Sequence, residues 1–395
     1  MINRKSVEEG SGELFLTFEK LDFMQLGLLD WFVEHGRHSI PWKLKSDGSH
    51  PKNNEALNPY GIWIAEVMLQ QTQLHVVLPY WERWMQTLPT LLDLVQASEQ
   101  EILLLWQGLG YYSRARRIHK SAHKLLEVLG GADSLDPSSW PSDLKTWMSL
   151  PGIGRSTAGS IISSAFNLPK SLLDGNVQRV LSRLIANPRP AKDCLPVLWD
   201  LSDQLMDKQN PRHFNQALMD LGAMVCTPSS PNCIKCPWNA YCIAYSSRQT
   251  QKFPVKAASR PLPFQVIGIG VVFNDFGEVL IDQRLDGVSM GGMWEFPGGK
   301  KELDEEIEET IKRELREELG IQVEVGDLLI SIEHSYSHKK LLFIVHICHC
   351  IAGKPQPLAS QQCRWVQPNE LDQYPFPVAN SKMISALKTY LQKDN

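Results

Sequence analysis

The first two thirds of the chain carry apolar residues at helical spacing. In residues 21–34, for example, apolar side chains that include Phe23 and Phe32 fall near one stripe of a helix. The polar segment 43–58 contains Gly, Pro and Asn and predicts a loop. Because no alternating strand pattern occurs between residues 21 and 245, this part of the chain is predicted to be all-α.

The pattern changes after residue 262. Residues 264–273 and 279–283 are strand-like and are joined by the turn sequence Asn-Asp-Phe-Gly, and residues 341–350 predict a further strand. We therefore expect a multidomain chain with an all-α part followed by an α+β part. The predicted segments are an N-terminal extension (1–20), a helical domain (21–245), a linker rich in Ser, Gln, Lys and Pro (246–262) and an α+β domain (263–392).

Composition places the chain among ordinary globular proteins. Of its 395 residues, 43% are hydrophobic and 21% are charged, so two or three domains could each bury a core. The N-terminus shows no apolar leader, and no apolar run reaches membrane-spanning length. We expect a cytoplasmic protein, a monomer with no membrane partner.

Charge is divided unevenly between the two parts. Residues 1–262 hold 27 Lys and Arg against 24 Asp and Glu, whereas residues 263–395 hold 13 against 20. The first part also has a local basic cluster over residues 114–120. Such a cluster suits phosphate binding, although a solvated helix face would have the same composition.

A glycine turn that leads into a helix lies at residues 150–159. The sequence Leu-Pro-Gly-Ile-Gly-Arg places Gly152 and Gly154 where the backbone can turn tightly, and Arg155 adds a charge. The first N–H groups of a helix lack partners and bind anions, so a phosphate site is predicted here. Downstream, Asp174 follows an apolar segment and is followed by Gly-Asn. Burial of a carboxylate in such a segment costs free energy, which suggests that Asp174 has a functional role.

A second carboxylate lies within an apolar helix. Residues 62–73 predict a helix on which Glu66 shares a face with Ile62, Trp63 and Gln70. Apolar surroundings disfavour the charged form, so the pKa of Glu66 should be raised. A glutamic acid of this kind can act as a general acid near neutral pH.

Four of the eight cysteines are closely spaced. They are separated by six, two and five residues, which is a ligand set and not a disulfide pattern in a cytoplasmic chain. Zinc is the usual ion for four cysteines, but this spacing lacks two paired Cys-x-x-Cys knuckles. Four thiolates are equally the ligand set of an iron–sulfur cluster. The four residues are Cys226, Cys233, Cys236 and Cys242.

These motifs together resemble those of one protein family. The hairpin, the downstream aspartate and the cysteine loop resemble the helix-hairpin-helix DNA glycosylases related to endonuclease III. The sequences Glu-Val-Met-Leu-Gln-Gln-Thr (66–72), Gly-Leu-Gly-Tyr-Tyr (108–112) and Phe-Asn-Gln-Ala (214–217) narrow the resemblance to the MutY-type adenine DNA glycosylases. The resemblance covers about residues 22–245. It implies a six-helix barrel part at about 60–165, with the N-terminal helix and about 166–245 forming an iron–sulfur part.

The resemblance also implies roles for individual residues. Glu66 would protonate the adenine, Asp174 would stabilise the oxocarbenium-like sugar, and Asn176 would orient the site. The family removes adenine that is mispaired with 8-oxoguanine or guanine in double-stranded DNA, and its cysteine loop holds a 4Fe-4S cluster. Residues implied to contact the flipped adenine or the DNA are Trp42, Gln70, Gln71, Tyr111, Gly152, Gly154, Arg155, Ser156 and Gln216.

Ser156 separates two branches of the family. Lyase members carry a lysine at this position, whose amine forms a Schiff base and cuts the strand. A serine cannot form that bond, so a monofunctional glycosylase is expected over an endonuclease III-type glycosylase/lyase.

The C-terminal domain contains a complete Nudix box. It begins at Gly299 and places Glu314, Glu317 and Glu318 together on a helix, as a possible Mg²⁺ site. The segment Phe-Pro-Val-Ala-Asn (376–380) resembles the base-binding segment of MutT-type 8-oxo-dGTP pyrophosphatases. However, no Asp or Glu lies between Ala352 and Trp365, where such enzymes place a further metal carboxylate.

A second motif in this domain suggests lesion recognition. Tyr336, Ser337 and His338 resemble the Phe-Ser-His loop with which adenine glycosylases sense 8-oxoguanine. Sensing of the lesion in the duplex is therefore expected to be the main role of the domain. Two alternatives remain: a bifunctional chain that also hydrolyses 8-oxo-dGTP, and a nucleotide pyrophosphatase whose N-terminal part merely binds DNA.

Overall fold

The computed structural model describes residues 18–131, 136–256, 261–336 and 339–393. The α-helices in chain order are α1 (Phe18–His35), α2 (Pro59–Leu69), α3 (Leu74–Thr87), α4 (Leu91–Gln96), α5 (Glu99–Trp106), α6 (Ser113–Val128), α7 (Leu144–Met148), α8 (Arg155–Phe166), α9 (Gly175–Leu184), α10 (Leu195–Leu205), α11 (Pro211–Met224), α12 (Ile243–Ser246), α13 (Ile307–Leu319) and α14 (Val378–Lys393). The strands are β1 (Phe264–Phe273), β2 (Val279–Gln283), β3 (Trp294–Glu295), β4 (Gly298–Lys300), β5 (Gln322–Ser335), β6 (Lys340–Ala352) and β7 (Gln362–Val366).

The predicted fold class is confirmed. Within the described ranges, every strand follows residue 263 and the elements before it are helical. The chain divides into two compact units: the first comprises residues 1–77, 88–92 and 120–258, and the second comprises residues 78–87, 93–119 and 259–395. None of the helices in the described ranges combines the length and apolar character needed to cross a membrane.

Four helices of the first unit share one apolar core. Helices α1, α9, α10 and α11 contribute Met24, Leu28, Leu181, Leu198 and Leu218 to it, each with at most 1% of its surface exposed. Cys226, Cys236 and Cys242 pack against the edge of this core. Burial of such side chains stabilises the unit by roughly 1.5–3 kcal/mol each.

The helix that carries Glu66 ends earlier than predicted. Helix α2 stops at Leu69, where the N–H of Gln70 bonds to the carbonyl of Val67. Gln71 then adopts a left-handed backbone with a φ of 58°. Helix propensity alone favours continuation through residue 73, but the turn here redirects the chain. The next helix, α3, begins at Leu74 and contains Pro79.

The glycine turn has the predicted form at only one of its glycines. Gly152 has a φ of +82°, which favours glycine, whereas Gly154 is extended at −92° and 175° and serves as the N-cap of α8. Gly154 has no side chain, so no side-chain hydrogen bond caps the first N–H groups of α8.

Asp174 begins the next helix. Its backbone is extended, and its carboxylate accepts a hydrogen bond from the N–H of Val177 at 2.7 Å, which makes it the N-cap of α9. The carboxylate therefore has a fixed orientation before any ligand binds.

The strands of the second unit form one mixed sheet with the order β3-β2-β1-β6-β5. Strands β1 and β6 are parallel, while β4 pairs with β1 and β7 pairs with β2, both antiparallel. Residues of β1 alternate between the two faces of the sheet: Val271 belongs to the core that includes α14, and Val272 belongs to the core that includes α13. Gly270 lets α13 approach closely, because a Cβ there would lie 3.1 Å from the Leu315 side chain.

Candidate active site

A cavity of about 730 Å³ in the first unit brings together all three residues predicted to be catalytic, Glu66, Asp174 and Asn176. It is lined by residues from α2, α8, α9 and α11, and from the turn after α1. Predicted residues that line it are Trp42, Glu66, Gln70, Ser156, Asp174, Asn176 and Gln216. Gln71, Tyr111, Gly152, Gly154 and Arg155 are not among its lining residues.

The Glu66 carboxyl has the environment that the helix pattern predicts. Burial raises its pKa to about 7, and the nearby Asp174 adds to this rise. The Ser160 hydroxyl and, more weakly, Lys43 oppose it. Glu66 is therefore partly protonated at neutral pH, as a general acid must be.

Asp174 faces the same cavity under different constraints. Burial raises its pKa, while hydrogen bonds from Val177 and Asn176 oppose the rise. Its second oxygen accepts a hydrogen bond from the side-chain amide of Asn176 at 3.3 Å. The two carboxyls thus differ in their surroundings: the Val177 N–H and the Asn176 amide favour the anion at Asp174, whereas the Ser160 hydroxyl and Lys43 favour it at Glu66.

Arg179 on α9 connects Asn176, which contacts Asp174, with the loop that carries the four cysteines. Its guanidinium donates to Oδ1 of Asn176 at 2.9 Å, to the carbonyl of Gly222 at 2.6 Å and to the carbonyl of Cys226 at 2.7 Å. The same amide that contacts Asp174 is therefore oriented from behind by an arginine. The sequence analysis did not identify Arg179, since an arginine one turn into a helix carries no distinctive signal.

A buried ion network that the sequence analysis also missed forms another wall of the cavity. Asp220 on α11 is almost fully buried and pairs with Arg37 and, at 3.5 Å, with Lys43. Burial lowers the pKa of Lys43 to about 8. The only sequence signals for it are a lysine directly after Pro-Trp and an aspartate inside an apolar helix.

Ser156 is engaged by the backbone. Its Oγ accepts a hydrogen bond from the N–H of Leu173 at 3.0 Å. It thereby holds the segment that leads into Asp174. Gln70 also contacts α8, donating to Oγ1 of Thr157 at 3.3 Å.

Arg155 does not project freely from the hairpin. Its guanidinium pairs with Asp203 at 2.8 Å and stacks on the Trp199 ring at 3.9 Å. In the basic cluster 114–120, Arg114 is buried and donates to the carbonyls of Leu109 and Gly110. These two arginines therefore have structural partners besides any phosphate.

Two further predicted DNA-contacting residues lie on exposed turns. Gln71 is exposed, and 48% of the Tyr111 surface is exposed. Both have positive φ values, 58° and 49°, which cost such residues on the order of 1–3 kcal/mol. The neighbouring Tyr112 is instead buried, and its hydroxyl accepts from the N–H of Gly108.

The four clustered cysteines are all free thiols on one loop. Burial raises the pKa of Cys236 to about 12, and the thiols of Cys226, Cys242 and Cys233 add to that rise. Among the residues that the structure describes, no three Cys, His, Asp or Glu side chains converge closely enough to hold a metal ion. In chemistry the set fits an iron–sulfur cluster, because a cationic side chain donates directly to one sulfur: Nη1 of Arg183 lies 3.2 Å from Sγ of Cys226.

The Nudix box of the second unit is locally intact. Gly299 lies directly beside the Glu314 side chain, since a Cβ there would lie 2.2 Å from the Glu314 carboxyl carbon. Arg313 pairs with Glu305 at 2.8 Å, with Glu314 at 2.9 Å and with Glu317 at 3.3 Å. Two of the three predicted Mg²⁺ ligands are therefore bound to an arginine.

The third predicted ligand, Glu318, lies among several carboxylates, which include Glu314, Glu317 and Glu295. Burial and the carboxylates around it raise its pKa to about 7. Asp282, which the sequence analysis did not single out, has its pKa raised to about 8 by burial and by Glu295 and Glu318. Arg284 pairs with Glu295 and supplies one compensating charge.

Of the predicted lesion-sensing loop, Tyr336 lies within the described residues. Tyr336 is half-buried, its ring lies 4.5 Å from that of His334, and its N–H bonds to the carbonyl of Lys339. Ser337 and His338 lie outside the described residues. Asn380 is buried, and its Oδ1 accepts a hydrogen bond from the N–H of Phe296.

Comparison with protein families defines the class of both parts. Residues 64–195 match the HhH-GPD superfamily of base excision DNA repair proteins, and residues 268–386 match the NUDIX domain. The first match includes Glu66, the hairpin and Asp174, and the second includes the whole Nudix box. The helical part is thus a DNA repair glycosylase domain.

Relatives of nearly the same extent identify the family. The chain is 33% identical to the adenine DNA glycosylase of Mus musculus over 96% of this chain and 80% of the relative. It is 32% identical to that of Homo sapiens over 95% of this chain and 76% of the relative, and 32% identical to that of Buchnera aphidicola over 83% and 85%. The chain belongs to the adenine DNA glycosylase family and is a base excision repair enzyme.

Proposed function

We propose that the enzyme removes adenine from A:8-oxoguanine and A:G mispairs in double-stranded DNA, acting as a monofunctional glycosylase and as a monomer. The observation that carries this proposal is the pair of carboxyls, Glu66 and Asp174, in one cavity of about 730 Å³. Every group assigned to the chemistry comes from a single chain.

In the proposed reaction, protonated Glu66 donates a proton to N7 of the flipped adenine. The bond between C1′ and N9 then breaks, and its electron pair leaves with the base. The sugar becomes oxocarbenium-like, and anionic Asp174 stabilises its positive charge. Water adds to C1′, and the proton it loses returns to a carboxylate of the site.

Other cavity residues would position the substrate. Trp42 and Gln216 would line the adenine pocket, and Asn176 would hold Asp174 through the hydrogen bond described above. The backbone N–H groups at Gly152 and Gly154, with Arg155, would bind a phosphate. Gln70, Gln71 and Tyr111 would contact the DNA stack where the adenine leaves it.

The absence of lyase chemistry is proposed from Ser156. Its hydroxyl is neither an amine nor a free side chain, because it accepts the Leu173 N–H. The product would therefore be an intact strand with an abasic site.

We further propose that Cys226, Cys233, Cys236 and Cys242 hold a 4Fe-4S cluster. Three of these thiols pack against the helical core, and a buried arginine donates to the sulfur of Cys226. The cluster would fix the loop, since metal binding to thiolates contributes folding free energy.

The test uses a duplex with one adenine opposite 8-oxoguanine, opposite guanine or opposite thymine. We expect strand scission at the mispaired adenines only after alkali treatment. Glu66→Gln should lose at least ~10²-fold in excision rate because it removes the general acid, while keeping affinity for the duplex. Glu82→Gln changes an exposed glutamate on α3 and is the matched control.

Three results would contradict the proposal. Near-normal excision by Glu66→Gln would remove this residue from the mechanism. Scission without alkali, with a lysine adduct trapped by borohydride, would make the enzyme a lyase. Equal excision opposite thymine would remove the mispair specificity.

A further inference from the structure

Arg183 is an arginine on α9 that is buried beside the cysteine loop. Only 1% of its surface is exposed. Its guanidinium donates to Sγ of Cys226 at 3.2 Å and to the carbonyls of Cys226, Thr227 and Pro228 at 3.2, 2.7 and 2.9 Å. The guanidinium therefore lies along the backbone from Cys226, the first of the four cysteines, to Pro228.

The same side chain also reaches the chain beyond the last cysteine. Its Nε donates to the carbonyls of Thr250 and Phe253 at 3.1 and 3.0 Å. In return, the thiol of Cys242 contacts the carbonyl of Arg183 at 3.4 Å. One residue thus contacts both the first and the fourth cysteine of the loop.

The charge of Arg183 lacks a carboxylate counterpart. Within the described residues, its six acceptors are five carbonyl oxygens and one sulfur. A buried, unpaired cation is strongly destabilising, so a buried arginine normally has an anionic partner. A set of thiolates with a net negative charge at the loop would supply it.

We propose that Arg183 is the internal counter-ion of the cluster and a positioning residue for the Cys226 thiolate. This inference rests on the proposed 4Fe-4S cluster. A positive charge and an N–H donor at a cluster sulfur stabilise the more reduced, more negative state of the cluster. Arg183 therefore raises the reduction potential and slows oxidative loss of the iron.

The experiment compares the wild type with Arg183→Met, which keeps the length of the side chain but removes charge and donors. Arg183→Lys keeps the charge without the planar set of donors. Arg189→Met is the control, because it removes the same charge from an exposed residue after the same helix. The measurements are iron per chain, the rate at which visible absorbance is lost in air, and the midpoint potential of the full-length protein on an electrode.

For Arg183→Met, we expect a lower midpoint potential and a loss of iron that is ~10–100-fold faster, the range typical of outer-shell partners of a metal site. Arg183→Lys should fall between this variant and the wild type, and Arg189→Met should match the wild type. If Arg183→Met does not fold, the test rests on the midpoint potential of Arg183→Lys. A purely structural role of Arg183 would leave that potential unchanged.

Two outcomes separate the inference from the proposed cofactor. Zinc without iron in the wild type would overturn the cluster itself and is seen before any variant is made. Iron in the wild type, together with an unchanged potential and unchanged iron loss in both Arg183 variants, would overturn only the role of Arg183.

Discussion

At the scale of single residues, the buried carboxyl of Glu66 makes the stability of the fold depend on pH. Burial holds the pKa of Glu66 at about 7, so the ionised form is disfavoured in the folded protein. The unfolded chain ionises this group at a pH near 4.5. The folded protein therefore loses stability as the pH rises from 4.5 to about 7, where Glu66 becomes ionised in the unfolded chain before it does in the fold.

The sign of this effect gives a stability prediction. Replacing Glu66 with Gln should raise the free energy of unfolding at pH 8 by up to ~3 kcal/mol, because an ionised carboxylate no longer has to be buried. The gain should shrink as the pH falls through 7 towards 4.5. Denaturant unfolding of the variant and the wild type at several pH values checks this, and a gain that does not change with pH would contradict it.

The same two carboxyls predict the pH dependence of excision. The rate needs Glu66 protonated and Asp174 ionised, so kcat/KM should fall above a pH of about 7 as Glu66 loses its proton. It should also fall on the acid side, at a pH above the ordinary value for an aspartate, since burial raises the pKa of Asp174. A flat profile between pH 6 and 9 would exclude Glu66 as the acid.

At the scale of secondary structure, sequence patterns located elements well where one face is apolar throughout. The bounds predicted for β1 and β2 are confirmed, because both strands are largely apolar and are separated by a turn sequence. Strand β5 was not predicted, since polar residues such as Glu324 and Glu333 interrupt it and its pairing with β6 creates the strand. Such pairing depends on residues distant in sequence.

In the candidate site, too, the residues in local sequence motifs were predicted, whereas those defined by distant contacts were not. The motif sequences identified Glu66 and Asp174, which share the cavity. Arg179 and the pair of Asp220 with Lys43 could not be predicted, because these contacts join residues that are distant in sequence: Arg179 reaches the carbonyls of Gly222 and Cys226, and Lys43 reaches Asp220. Tertiary packing alone gives these side chains a place in the site.

Close approach of two elements sets the position of Asp174. A Cβ on Gly159 of α8 would lie 2.2 Å from the carbonyl oxygen of Ser171, just before the segment that carries Asp174. The hydrogen bond from Leu173 to Ser156 acts in the same region. Helix α8 and this segment therefore fit only with glycine at the contact.

A single methyl group at this contact should reduce catalysis. We expect Gly159→Ala to destabilise the protein by ~1–3 kcal/mol and to lower kcat more than it changes KM, because backbone overlap displaces Asp174. Gly27→Ala is the control, since its Cβ would lie 4.0 Å from the nearest atom, an ordinary contact. Steady-state kinetics and unfolding curves for both variants test this, and an unchanged kcat in Gly159→Ala would contradict it.

At the scale of the whole molecule, the two parts of the chain differ in charge and in the use of carboxylates. The helical part is mildly basic, whereas residues 263–395 hold 20 acids against 13 bases. In the Nudix box, the hydrogen bond from Arg313 lowers the pKa of Glu305 to about 2. Arg313 also pairs with Glu314 and Glu317, and no Asp or Glu lies between Ala352 and Trp365 to supply a further metal ligand.

This arrangement predicts that the second part recognises the lesion and hydrolyses nucleotides weakly or not at all. Glu317→Gln should leave adenine excision unchanged, because Glu317 pairs with Arg313 inside the box and does not line the cavity that holds Glu66 and Asp174. Pyrophosphate release from 8-oxo-dGTP with Mg²⁺ should stay well below ~1 per second, the lower end of typical enzyme rates. Faster release that Glu317→Gln abolishes would show a second enzyme activity.

The hydrogen bond between Leu173 and Ser156 restricts how this enzyme could evolve into a lyase. A lysine at position 156 would supply the nucleophilic amine but has no oxygen to accept the Leu173 N–H. An unpartnered buried N–H costs about 1–3 kcal/mol, and here the cost falls on the segment that leads into Asp174. The single substitution that adds strand cleavage would therefore disturb the carboxylate needed for base removal, and a viable lineage would need a compensating change first.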